Sequence, residues 1–359
     1  MWSGSQGMRL VSPLLKRAVY PALHRIGCLG RITPIGDCTV VNYHGVLPDD
    51  HLSGDPFLDG NLVRPEVLRR HIQFLKAHFD VIHPEDFRAY VEQGRRLPPR
   101  AVLLTCDDGL LNTLTDMLPV LQSESVGCLF FITGASCGMS PGMLWYEELY
   151  HLMRVKELTG PNLELPVEAG AESQSPQNFQ ALWWTTVRRA SQLDAKTRAG
   201  WMDVVRGYCS PMPTLPSERR WRLLNIVELR QLAESGMSIG AHTLTHPVLA
   251  LSSDEEARRE IQDSKIEIER VLGRPVWAFA YPFGNASTLG QREIRLAREA
   301  GFVCAFLNVE PYAEASSVQP PDRFGLYRIH VTSDTSLPEF AAHVSGLHAR
   351  FQRVAGWLK

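Results

Sequence analysis

Short apolar runs alternate with helical patterns from Cys38 onward, and this alternation constrains the fold more than any other feature of the chain. Each run is too short for a buried helix and is bounded by Gly, Pro or polar residues. The runs are CTVVN (38–42), AVLLT (101–105), GCLFFI (127–132), MSIGA (237–241), WAFAY (277–281) and FVCAF (302–306). Strands that alternate with helices form parallel βα units, so the sequence predicts an α/β fold, either an open sheet or a barrel.

Two of the intervening helices have clear start signals. Asn225 precedes Glu228, and Ser253 precedes Glu256, each with capping-box spacing, and a glycine follows the end of each helical pattern. Residues 156–224 break the rhythm, because they contain a polar loop and one or two amphipathic helices but no strand pattern. We predict that they form a helical insertion in the main domain.

Three tryptophans in this insertion are candidates for a sugar site: Trp183, Trp184 and Trp201. Aromatic residues at helical spacing more often belong to the core. The main domain is predicted to span residues 36–350, after an N-terminal segment of about 35 residues.

Charge and cysteine usage limit the function classes. A formal net charge of −2 and a pI near 6.6 give no reason to expect nucleic acid as a partner. The seven cysteines are odd in number, lack a CxxC pair and mostly lie among apolar neighbours, so we expect reduced thiols in a reducing compartment.

The N-terminal segment, residues 1–35, contains MRLVSPLLKRAVYPALHRIG, which mixes apolar and basic residues. It lacks a convincing signal peptide, and no stretch approaches the roughly 20 apolar residues of a spanning helix. One interpretation is a basic amphipathic segment that binds peripherally to an anionic membrane; the other is a helix that packs on its own domain. We expect a cytoplasmic location, with the inner membrane face as the site of any association.

Polar residues follow four of the predicted strands, where loops of parallel α/β folds build active sites. Alone, His242 and His246 are weak evidence for a metal site, and Asp107 with Asp108 more often makes a turn or a helix cap. Together, two imidazoles and one carboxylate form a three-ligand set that leaves a position for water. A second carboxylate beside them can accept a proton from that water.

The motifs LLTCDDG and HTLTH resemble the first two motifs of the polysaccharide deacetylases of carbohydrate esterase family 4, the NodB-homology domain. Their usual forms are TFDDG and H(S/T)xxH. Similarity continues in NYHGV, FFIT, a Trp-Tyr pair at 145–146, FAYPFG and YRIHV, in the family's order over most of the chain. The resemblance implies a distorted (β/α) barrel of the polysaccharide deacetylase type, with a helical insertion.

The resemblance also assigns roles to residues. Asp107 corresponds to the general base, and the backbone N–H of Phe283 corresponds to a donor that faces the oxyanion. Thr243 is expected to hold the shape of its loop. The divalent metal, most often Zn²⁺, is expected to be held by Asp108, His242 and His246.

Two positions depart from the family pattern or leave alternatives. The usual histidine motif near the C-terminus has no close match beyond His330, whereas a circularly permuted branch that acts on poly-N-acetylglucosamine exopolysaccharides carries a YH motif near the N-terminus. VVNYHGV fits that motif, which favours His44 as the general acid. Ala280 occupies the place of an arginine that pairs with the base, so the pKa of Asp107 should be depressed less unless another cation such as Arg328 reaches it.

The resulting prediction is an enzyme that hydrolyses N-acetyl groups on amino sugars of a polysaccharide or lipid-linked glycan, as in exopolysaccharide biosynthesis, and releases acetate. Two alternatives are a metal-dependent amidase of a small molecule or glycolipid, and a catalytically silent carbohydrate-binding protein. The sequence does not indicate the sugar, the metal or the oligomeric state.

Overall fold

The computed structural model describes residues 13–32, 34, 36–51, 56–139, 142–156, 179–208, 218–285, 287–310 and 322–357. Eight strands form one sheet in this part of the chain. They are β1 Cys38–Tyr43, β2 Asp80–Val81, β3 Ala101–Cys106, β4 Leu129–Ile132, β5 Ser238–Ala241, β6 Ala278–Ala280, β7 Cys304–Phe306 and β8 Ile329–His330.

All of the strand pairings are parallel. The strand order is β7-β6-β5-β4-β3-β1-β8, and the short β2 pairs with the start of β3. Helices surround this curled sheet, which forms a half-barrel. The predicted α/β fold, a distorted (β/α) barrel of the deacetylase type, is confirmed.

Every strand predicted from an apolar run is present. The sequence missed β2 and β8, each of which has only two residues and therefore shows no periodicity of its own. Because β8 pairs with β1 at Val41 and Asn42, the chain after residue 328 reaches the same edge as the first strand.

Most of the α-helices lie between strands in the chain; one precedes β1 and two follow β8. The described helices are Tyr20–Arg25, Pro56–Asp59, Pro65–His78, Pro84–Gln93, Leu118–Ser123, Trp145–Lys156, Phe179–Ala190, Ala195–Tyr208, Glu218–Trp221, Ile226–Glu234, Asp254–Leu272, Gln291–Glu299, Leu337–Val344 and Leu347–Trp357. The capping box at Asn225 is formed, and the Ser253 side chain caps the helix that ends before Gly273.

Two helices of the interrupting region, Phe179–Ala190 and Ala195–Tyr208, pack with Trp145–Lys156 around an apolar cluster of their own. Trp183 is 1% exposed and Trp201 is 5% exposed, and both belong to this cluster. They are core residues, which is the interpretation that their helical spacing favoured. They do not line a sugar site. The predicted polar loop falls on residues 157–178, outside the described residues.

Residues 13–32 pack against the main domain. Tyr20 and Leu29 are buried in its core, and the Tyr20 hydroxyl lies 2.9 Å from Nδ1 of His348. Lys16 Nζ lies 2.6 Å from a carboxylate oxygen of Glu339. This is the arrangement expected of a helix that packs on its own domain; the boundary near residue 35 and lipid binding stay predictions.

Two further sequence expectations concern membrane-spanning helices and the state of the cysteines. Within the described part of the protein, no helix has both the length and the apolarity needed to cross a bilayer. The six described cysteines are free thiols, and Cys209 lies outside the described residues.

Candidate active site

Three predicted metal ligands meet where β3 and β5 end. Nε2 of His242 lies 3.5 Å from Oδ1 of Asp108, and Nε2 of His246 lies 3.3 Å from the same oxygen. All three side chains are buried, and their ligand atoms lie within 4.8 Å of one another. The structure therefore brings together the three residues that the sequence suggested as one ligand set.

The donor atoms of this cluster fit a divalent cation. Oδ1 of Asp108 is buried without a hydrogen-bond partner in the described residues. Nδ1 of His242 lies 2.7 Å from the carbonyl oxygen of Ala280, to which it donates, so the lone pair of Nε2 points toward Asp108. One carboxylate oxygen and two imidazole nitrogens form a donor set typical of zinc.

The backbone of the site adopts conformations that non-glycine residues rarely adopt. Six non-glycine residues in the described chain have positive φ, and four of them lie in this site. The φ values are 74° at Asp108, 65° at Thr243, 57° at His246 and 62° at Phe283. Such residues are strained, so the surrounding contacts must determine their conformation.

Asp107 is held by a buried arginine. Nη1 and Nη2 of Arg328 each donate to one carboxylate oxygen of Asp107 at 2.7 Å, and Nδ2 of Asn42 donates to Oδ2 at 2.9 Å. Although burial by itself would raise the pKa of Asp107, the Arg328 guanidinium lowers it to about 2. Arg328 thus supplies the positive charge that Ala280 cannot.

Two histidines lie beside Asp107. Nε2 of His44 is 3.9 Å from Oδ2 of Asp107, and the ring centroids of His44 and His330 are 4.7 Å apart. Burial lowers the pKa of both imidazoles, that of His330 to about 3. The pairing of β8 with β1 places both candidates in the site, so the choice of His44 as the acid stays a prediction.

Phe283 lies on the other side of the metal ligands. Its ring centroid is 4.9 Å from that of His246 and 6.0 Å from that of Tyr146. Gly284 follows with φ of 50°, and a Cβ there would lie 2.4 Å from the backbone nitrogen of Asn308. The turn that presents the Phe283 backbone therefore requires glycine after it.

Sequence reasoning missed three residues that line this site: Asn42, Tyr146 and Asn308. Oδ1 of Asn308 accepts a hydrogen bond from Asn42 at 3.1 Å, which connects the chain after β7 to the end of β1. Asn42 is the polar end of the run CTVVN, and Tyr146 belongs to the Trp-Tyr pair, so both were visible as unexplained polar or aromatic positions.

A second group of potential ligands, Glu310, His343 and His348, lies near the C-terminus, and most of its ligand atoms have hydrogen-bond partners. Nδ1 of His343 lies 2.8 Å from the carboxylate of Glu310. Nδ1 and Nε2 of His348 lie 2.9 Å from the Tyr20 hydroxyl and 2.8 Å from the Gln352 amide. Nε2 of His343 has no hydrogen-bond partner in the described residues and lies 3.8 Å from a carboxylate oxygen of Glu339. The other nitrogens of this group are engaged in a hydrogen-bonded charge network.

The sequence comparison agrees with this site. Residues 220–305, which contain both metal-ligand histidines and Phe283, match the family model described as polysaccharide deacetylase. This stretch of the chain is therefore similar to the polysaccharide deacetylases. The match supports a hydrolytic enzyme of the polysaccharide deacetylase type. No curated protein sequence matches the chain.

Solved deacetylases share the fold at low sequence identity. The Streptococcus pyogenes deacetylase PplD in complex with acetate has a TM-score of 0.52 and 15% identity, over 87% of this chain and 99% of that one. IcaB from Ammonifex degensii has a TM-score of 0.51 and 17% identity, over 87% and 98%. The de-N-acetylase from Aggregatibacter actinomycetemcomitans has a TM-score of 0.52 and 15% identity, over 84% and 97%.

Proposed function

We propose that this protein is a divalent-metal-dependent deacetylase that hydrolyses N-acetyl groups on amino sugars of a polysaccharide or lipid-linked glycan and releases acetate. The observation that carries the proposal is the convergence of Asp108, His242 and His246 beside a second, ion-paired carboxylate, Asp107. A binding protein without catalytic activity has no need for that second carboxylate.

Asp108, His242 and His246 would hold the ion, which we propose to be Zn²⁺. A divalent ion in such a site activates a water molecule and polarises a carbonyl oxygen. Asp107 is ionised at neutral pH, because its pKa is about 2, and is available to accept a proton from the attacking water. Arg328 fixes both of its oxygens and so orients the carboxylate.

The remaining steps fall to His44 and Phe283. The nitrogen of the sugar is a poor leaving group until it is protonated, and His44 is the proposed proton donor. The backbone N–H of Phe283 is the proposed donor to the carbonyl oxygen as negative charge develops there. Both residues flank the metal ligands, His44 on the Asp107 side and Phe283 beside His246.

The activities of the structural neighbours support an N-acetyl substrate. One neighbour is described as a de-N-acetylase and another as a deacetylase in complex with acetate. Because the chain shares only 15% identity with each, the likeness supports the fold and leaves the sugar to experiment.

The metal is tested by elemental analysis of the purified protein. We expect one divalent ion per chain, and we expect His242→Ala and His246→Ala to lose it while the protein stays folded. Glu310→Gln is the matched control, because Glu310 belongs to the second group, where its carboxylate already binds Nδ1 of His343. Full metal occupancy in the folded His242→Ala protein would contradict the assignment.

The activity is tested by acetate release from a panel of N-acetylated oligosaccharides and lipid-linked sugars, before and after chelation. We expect chelation to abolish release and added Zn²⁺ to restore it. Release only from small amides or glycolipids would favour the amidase alternative. Glycan binding without release would identify a silent binding protein.

We also propose a cytoplasmic location at the inner membrane face, where a lipid-linked intermediate is accessible. Supporting this are Arg17 and Arg25, which are exposed, and the apolar side chains of Leu14 and Ile26, which are 66% and 67% exposed on the same N-terminal segment.

A further inference from the structure

Glu260 directs its carboxylate entirely at the loop between the two metal-ligand histidines. It lies on the helix Asp254–Leu272 and is 1% exposed. Oε2 accepts hydrogen bonds from the backbone N–H groups of Leu244 at 2.8 Å and Thr245 at 2.9 Å, and Oε1 accepts one from the Thr245 hydroxyl at 2.5 Å. No residue with a proposed catalytic role contacts this carboxylate.

The loop that Glu260 binds has a conformation that needs support. Thr243 and His246 have left-handed φ values of 65° and 57°. Inside the loop, the Thr243 hydroxyl donates to the carbonyl of His242 at 2.5 Å and accepts from the N–H of His246 at 3.1 Å. These bonds fix the ends of the loop, and the N–H groups between them depend on Glu260.

The helical insertion reaches the same loop from the other side. Nη2 of Arg198 donates to the Thr245 hydroxyl at 2.6 Å, and its guanidinium lies 5.1 Å from the ring centroid of Trp145. Nε1 of Trp145 donates to the carbonyl of His246 at 3.2 Å. The Thr245 hydroxyl therefore connects the buried charges of Arg198 and Glu260 through direct hydrogen bonds.

We propose that Glu260 is a positioning residue that holds His246 in ligand geometry and thereby sets the affinity of the site for a divalent ion. This inference rests on the proposed function, because it assumes that His246 binds metal. Groups that orient ligands from outside the coordination shell typically contribute 10- to 100-fold to metal affinity. Here the support acts on the backbone of the ligand loop, with Arg198 as its partner from the insertion.

The experiment measures the dissociation constant for Zn²⁺ in the full-length protein by competition with a chromophoric chelator. We expect Glu260→Ala to weaken Zn²⁺ binding by about 10- to 100-fold and Glu260→Gln by less, because glutamine keeps an acceptor for the backbone N–H groups. The matched control is Glu256→Ala. Glu256 lies one turn earlier on the same helix, and its carboxylate accepts from the N–H of Ala195 at 3.0 Å, away from the loop.

A purely structural role predicts equal effects of the Glu260 and Glu256 substitutions, so a weaker Zn²⁺ affinity confined to Glu260 supports the proposal. Zn²⁺ affinity of a folded Glu260→Ala protein equal to wild type would overturn it. If Glu260→Ala does not fold, Glu260→Leu, which fills more of the space but offers no acceptor, takes its place, and unchanged affinity there has the same meaning.

The wild-type protein separates this inference from the proposed function. If wild type binds Zn²⁺ through His242 and His246 and the Glu260 variants bind equally well, only the positioning role fails. If wild type shows no Zn²⁺ binding that depends on these histidines, the proposed metal site fails and the positioning role fails with it.

Discussion

Asp107 obtains its counter-charge from Arg328, which lies 221 residues further along the chain. From the sequence, Ala280 occupies the place of the family's arginine, and the pKa of Asp107 should be depressed less unless a cation such as Arg328 reaches it. The sequence could not establish the contact, because the contact depends on the two-residue strand β8 pairing with β1. The metal ligands were easier to predict, since they lie after two strands that the apolar runs indicated and their residue types suit a metal.

Asp107→Asn separates proton transfer from metal binding. The substitution removes the proposed base but leaves Asp108, His242 and His246 unchanged, so metal content should persist. Activity should fall by about 10²- to 10⁴-fold, the usual contribution of a positioned acid or base. Acetate release and elemental analysis on the same preparation test both statements, and loss of the metal in a folded protein would contradict the assigned division of roles.

His44→Ala and His330→Ala identify the acid. If His44 protonates the leaving nitrogen, its loss should reduce hydrolysis of an N-acetyl sugar by about 10²- to 10⁴-fold. The effect should be much milder on an ester whose leaving group departs without a proton. His330→Ala should affect both substrates little, and the reverse pattern of rates would transfer the role to His330.

At the level of helices and strands, the sequence predicted the features that depend on residues close together in the chain. The helix caps at Asn225 and Ser253 and the apolar runs of β1, β3 and β5 depend on neighbouring residues, and all were found, although only Asn225 forms the complete capping box. The strand β8 depends on pairing across the sheet and carries no periodic signal. The same limit applies to Glu260, whose role depends on a helix packing against a distant loop.

The C-terminal helices contain a charge network that should make stability depend on pH. Although burial by itself lowers the pKa of His343, the carboxylates of Glu310 and Glu339 raise it to about 9, from 6.5 in the unfolded chain. The folded state therefore holds the proton more tightly. The associated stability is fully present below pH 6.5 and is lost as the pH rises to about 9.

Chemical denaturation between these pH values tests the network. The free energy of unfolding should fall by about 1.4 kcal/mol per pH unit from this group alone. His343→Gln should remove that part of the slope while lowering stability at neutral pH. An unchanged slope in the variant would assign the pH dependence to other groups.

At the scale of the molecule, the N-terminal segment packs on its own domain and still exposes basic side chains, so peripheral membrane binding stays a prediction. Tyr20 and Leu29 are buried and hold residues 13–32 against the domain, while Arg17 and Arg25 are exposed. We expect Arg17→Glu with Arg25→Glu to weaken binding to anionic vesicles, since each basic residue near such a surface contributes about 1 kcal/mol.

Co-sedimentation with vesicles that contain anionic lipid measures this effect, and neutral vesicles provide the baseline. The charge reversals are preferable to truncation at residue 35, because truncation would also remove the buried Tyr20 and Leu29. Equal sedimentation of wild type and variant, or none of either, would argue against membrane binding through this face.

The long separation between Asp107 and Arg328 has a consequence for synthesis on the ribosome. At about 5–20 residues per second, Arg328 is added roughly 10–45 s after Asp107. Until then the carboxylate lacks its guanidinium partner, and burying it unpaired is unfavourable. We therefore expect this edge of the sheet to stay hydrated until Arg328 has been added. A chain released before residue 328 would lack the ion pair at Asp107, and we expect it to bind chaperones.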